Sequence, residues 1–168
     1  MSKTASAPRI LGLFQKRIDG DDCLLALAKK RFEQAGLGVE FYAGNPSELD
    51  WLLGFKPTNN QPVVVHLSRG VNVLDSSSRA EVLEFARWFA GRVLGMVFHD
   101  QPELATQPDD YCRAVREMNA RLEEVPNCPW LFIEFAVGIE PDTFARFAEA
   151  IAPCRCTSVC VDVGHVGI

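Results

Sequence analysis

The stretches PVVVHLS (residues 62–68), RVLGMVFHD (92–100), PWLFIEF (129–135) and TSVCVDVGH (157–165) share one pattern: a short apolar run that ends on a metal-ligand type of side chain. His66, His99, Glu134, Asp162 and His165 occupy those ends. Runs this short and this apolar read as strands buried on both faces, the signature of a parallel sheet. If each run is a strand of a parallel βα repeat, all five side chains come to one rim.

Working outward, helical patterns fill the gaps between the runs. RILGLF (9–14) is a first strand, followed by DGDDCLLALAKKRFEQAG (19–36), where Asp19, Asp21 or Asp22 can cap and Leu24, Leu25, Ala28 and Phe32 recur at helical spacing. Gly36 and Gly38 end that helix before VEFYAG (39–44), and Pro46 opens a short helical stretch, PSELDWLLG (46–54). SSSRAEVLEFARWFAG (76–91) is an amphipathic helix with Val82, Phe85, Ala86 and Phe89 on one side. DDYCRAVREMNARLEEV (109–125) and EPDTFARFAEAIAP (140–153), with Pro141 near its start, complete the alternation. Trp51, Trp88 and Phe89 fall in helix-like segments at core spacing and read as packing residues. Gly70 and Gly138 read as loop-turn residues.

An unbroken βα succession implies an α/β fold with a parallel sheet and right-handed crossovers, whose functional groups gather at the carboxyl ends of the strands. Six βα units are present, whereas a complete eight-stranded barrel takes about 250 residues. The expectation is therefore a TIM-barrel-like (β/α) domain spanning 1–168 that is incomplete relative to a full (β/α)8 barrel, or an open six-stranded sheet that closes by association. Homo-oligomerisation follows from either, because uncovered edge strands expose unpaired backbone groups.

Composition narrows the function. The 168 residues are 48% apolar and 23% charged, enough for a packed core. A net charge of -5 and the lack of a Lys/Arg run give no general attraction for nucleic acid. The polar start, Met1 to Arg9, does not read as a signal peptide, and no apolar stretch is long enough to span a membrane. A cytoplasmic location with six reduced cysteines is the expectation, and Cys154 and Cys156, in APCRCTS, receive no role.

A carboxylate such as Glu134 after the apolar run LFI must be solvated, paired or metal-bound. Imidazole nitrogen and carboxylate oxygen together suit a divalent ion such as Zn²⁺ or Mn²⁺. Alone, the Asp162-x-x-His165 spacing is weak; beside the other strand ends it gains weight.

On these residues the chain resembles the xylose isomerase-like TIM-barrel superfamily, which includes sugar isomerases and epimerases and the endonuclease IV (AP endonuclease family 2) proteins. VVVHLSRGVNVL is similar to the third-strand histidine followed by Asn, here His66 and Asn72. VFHD is similar to the fourth-strand histidine, His99, and EFAVG to the fifth-strand Glu with its Gly, here Glu134 and Gly138. VCVDVGH resembles the sixth-strand Asp-x-x-His, and GVEFYAG the second-strand Gly-Val-Glu.

The resemblance implies that Glu134 and Asp162 ligate the metal used for chemistry and act as catalytic carboxylates. It implies His66 and His99 as further ligands, with His165 binding substrate or metal. Arg69, after the third strand, is a candidate for a substrate phosphate. Ser68 and Arg69 stand where the DNA-repair enzymes carry Pro-Tyr, and Asp100-Gln101 where they carry Pro-Gly. The resulting expectation is a metal-dependent isomerase or epimerase of a sugar or polyol, using Zn, Mn, Co or Mg, in which carboxylates move the proton. Two alternatives stand beside it: an endonuclease IV-like zinc phosphodiesterase, favoured by the two extra histidines, and a non-catalytic truncated barrel.

Overall fold

The structure is a computed structural model that describes residues 10–12, 21–42, 62–68, 70–136 and 138–162. The expected helix at 46–54, with Trp51, lies outside the described residues. The chain divides into two compact units, Met1–His66 and Leu67–Ile168. Both are built from parallel strands and helices, so the protein has an α/β fold.

In the first unit, strands β1 (Ile10–Gly12), β2 (Gly38–Tyr42) and β3 (Val63–His66) lie side by side in chain order. Helix α1 (Asp22–Gln34) connects β1 to β2. Asp21 caps it, accepting the Leu24 amide at 2.9 Å. Its far end closes through two backbone bonds, Gly36 N to Glu33 O and Leu37 N to Phe32 O. That closure needs a left-handed residue after the cap, and Gly36 provides it at φ 67°. The expected apolar face is only partly covered, since Phe32 is half-buried while Leu24 and Leu27 are exposed. β3 is buried throughout, as its unbroken VVV run requires.

In the second unit, β4 (Gly95–His99), β5 (Trp130–Phe135) and β6 (Thr157–Val161) pair in chain order, every registered pair parallel. The Leu67 amide donates to the Val97 carbonyl at 2.7 Å, so the chain enters this unit alongside β4. Neighbours that follow chain order distinguish each unit from the reversal point of a doubly wound sheet.

Helices α2 (Ser76–Phe89), α3 (Glu103–Thr106), α4 (Pro108–Leu122) and α5 (Pro141–Ile151) make the outer layer. Two of them, α4 and α5, start with Pro, whose missing amide costs nothing at that position. The short α3 had no counterpart in the sequence reading. On α2 the anticipated Val82, Phe85, Ala86 and Phe89 are all buried, with Leu83 added. Trp88 departs from the packing expectation: it is 41% exposed with the Arg92 guanidinium 5.4 Å from its ring. At about 100° per residue, Trp88 falls outside the arc formed by Val82, Leu83, Phe85, Ala86 and Phe89 and so points away from the inward face.

Two local devices fix the layers. Gly95 begins β4 where a Cβ would stand 2.5 Å from the Phe132 ring and 3.1 Å from the Trp130 carbonyl, so no side chain fits. Buried Asn119 on α4 accepts the Cys156 amide at 2.9 Å and donates to Glu123 at 2.8 Å, tying α4 to the start of β6. Between α4 and α5, Tyr111 meets Phe147 edge-on at 5.5 Å. None of the six cysteines is in a disulfide. No helix among the described residues is long and apolar enough to cross a membrane.

Candidate metal centre

The candidate ligands sit where the strand pattern puts them, at the carboxyl ends. In the first unit His66 closes β3 and is 6% exposed. Register places Tyr42 of β2 opposite it, and the two rings stack at 5.3 Å. Glu40, two residues before Tyr42 and on the same side of the strand, reaches His66 Nδ1 with Oε1 at 2.7 Å. An imidazole that donates Nδ1–H to a carboxylate presents Nε2 as its acceptor nitrogen, the tautomer a metal ligand requires.

In the second unit His99 and Glu134 are directly opposed across β4 and β5. Their side chains are 15% and 6% exposed, and His99 Nε2 lies 3.6 Å from Glu134 Oε2. Asp100, the next residue, is fully buried. Its amide donates to the Glu134 carbonyl at 2.8 Å, and its Oδ1 accepts the Ala136 amide at 3.1 Å. Gln101 donates to the His99 carbonyl at 3.2 Å. Behind this strand end lies Tyr111, whose phenol is pushed well above its ordinary range by burial and then by Asp100 and Glu103. Asn72 turns the loop by accepting the Leu74 amide at 2.9 Å and donates to Glu103 at 3.2 Å.

Asp162 follows β6 and is exposed. His165 and Arg69 lie outside the described residues. Gly70 lies in a turn and Gly138 in a loop at φ 73°, as expected of loop-turn residues. Glu40 and Asp100 are the polar residues that sequence reading passed over as site components. The signal for Glu40 was the one applied to Glu134, a carboxylate inside an apolar strand.

Chemically, the His99 imidazole nitrogen with the buried Glu134 carboxylate oxygen is a mixed N/O pair that fits a borderline divalent cation, zinc foremost. The fold and these strand ends define the class: an α/β protein of parallel strands with partly buried histidine–carboxylate pairs, the histidines closing their strands. No family model, curated protein or solved structure gives a match to this chain.

Proposed function

We propose that the protein is a metal-dependent isomerase or epimerase of a sugar or polyol, built as part of a parallel (β/α) barrel of the xylose isomerase-like kind. The observation that carries this reading lies within the second unit, where His99 Nε2 is 3.6 Å from Glu134 Oε2 and both side chains are largely shielded from solvent. A histidine nitrogen and a carboxylate oxygen at that separation suit a divalent ion that keeps further positions for substrate oxygen, as a catalytic site does. A divalent cation held there supplies a Lewis acid for neighbouring substrate oxygens.

The surrounding charge selects the substrate class. Within the second unit, Glu134 and Asp100 put two buried carboxylates toward the ends of β5 and β4. Such a setting repels an anionic phosphodiester and suits a neutral, hydroxyl-rich molecule. In this reading Asp162 is the carboxylate left to move a proton, and His165 and Arg69 contact substrate.

A second reading, a zinc phosphodiesterase, is favoured by histidines closing both β3 and β4, because hydrolysis needs only a metal-activated water. Metal analysis with an exchange assay in D₂O separates the two. One exchangeable ion per chain and deuterium incorporation into a ketose support the isomerase. Several tightly held zinc ions with phosphodiester cleavage support the hydrolase. A chain that binds no divalent ion at micromolar concentration, or a Glu134→Gln variant with full affinity, overturns both.

A further inference from the structure

We infer that Asp100 is a positioning residue for this centre, holding the exit of β5 so that the Glu134 carboxylate faces His99. The inference rests on the metal reading above but is carried by a separate set of contacts. Asp100 is 0% exposed, and a carboxylate without water is tolerated only when its oxygens are engaged. One of them is engaged at a telling place. Asp100 Oδ1 takes the Ala136 amide, while the Asp100 amide gives to the Glu134 carbonyl.

These two bonds bracket Phe135. They fix the orientation of the peptides on both sides of it, and with them the direction in which the preceding residue, Glu134, leaves the strand. The same residue is covalently joined to His99, so both candidate ligands are referred to a single buried anchor. A bond from the backbone amide alone would continue the ladder between β4 and β5; the side-chain bond extends it to Ala136, one residue beyond Phe135, where the strand ends. Register alone brings residues 99 and 134 opposite each other. It does not stop the end of β5 from fraying, and a ligand held on a frayed end loses the pre-organisation that metal affinity depends on.

The test compares Asp100→Asn, which keeps an oxygen acceptor for Ala136, with Asp100→Ala, which keeps none. Zinc and manganese affinities of the full chain are measured by competition with a chelating dye, and exchange of the Ala136 amide is followed in metal-free protein. The expected result is an affinity loss of about 10- to 100-fold for Asp100→Ala and near-original affinity for Asp100→Asn. Ala136 should be protected from exchange in the original and Asn proteins and open in the Ala protein. Equal affinity in all three, or equal loss in both variants, overturns the inference. If the original protein binds neither metal, the functional reading fails by itself, and the Ala136 exchange pattern still decides whether Asp100 holds the strand end. Should Asp100→Ala not fold, the inference stands or falls on the Asn variant, whose loss of metal affinity or of Ala136 protection would overturn it.

Discussion

His99 and Glu134 face each other across the ends of two parallel strands with Nε2 and Oε2 3.6 Å apart. That is too long for a good hydrogen bond. It is close to the roughly 3.4 Å that separates two ligand atoms placed about 2.1 Å from one tetrahedral ion. Zinc at a hundred times its dissociation constant should therefore stabilise the protein by about 2.7 kcal/mol, reversibly with chelator. A thermal melt in which His99→Ala keeps this zinc-dependent rise would remove His99 from the ligand set.

Glu40 orients His66 by accepting from its Nδ1, 2.7 Å away. Removing such a partner typically weakens metal binding by about 10- to 100-fold. Glu40→Ala should show that loss in a zinc titration, with zinc stoichiometry unchanged. An unaltered affinity would mean that Tyr42 stacking and burial are enough to hold the ring.

Gly95 is a packing test independent of the site. Because a Cβ there runs into the Phe132 ring and the Trp130 carbonyl, Gly95→Ala should cost about 1–3 kcal/mol in urea unfolding. The companion Phe132→Leu should recover part of it; a neutral Gly95→Ala contradicts the close approach of β4 and β5.

Asp75, the cap of α2, has its carboxyl pulled below its ordinary 3.8 by the Ser77 hydroxyl, then by the Ser77 amide. A lowered folded-state pKa contributes stability that is complete above the unfolded value and is lost as pH falls through the folded one. The melting-temperature gap between the original protein and Asp75→Ala should thus hold steady between about pH 5 and 7 and narrow below 3.8. A gap that is flat down to pH 2 would show that the charge of Asp75 plays no part.

Among the thiols, burial and then Cys156 push Cys128 up to about 12. Exposed Cys23 should react with iodoacetamide first and Cys128 last near pH 8, because only the thiolate attacks. Peptide mapping of partially alkylated protein reads the order directly, and early labelling of Cys128 would contradict its burial.

The sequence by itself determined the βα alternation and the residues at the strand ends. Both are written in local chemistry: VVV and LFI can only be inner strands, and a His or Glu closing such a run is conspicuous. Helix faces were legible for the same reason where burial is one-sided, as at Val82, Phe85 and Phe89. Tertiary structure alone decided which ligand meets which partner. Glu40 finds His66 through the register of β2 on β3, a relation across 26 positions that no local pattern encodes. Asp100 gained its role from the Ala136 amide 36 residues away, and Asp162 emerged exposed although its sequence setting matches that of Glu134. Side-chain identity is fixed by the chain, but the direction and neighbours of a buried carboxylate are fixed by backbone pairing between distant strands.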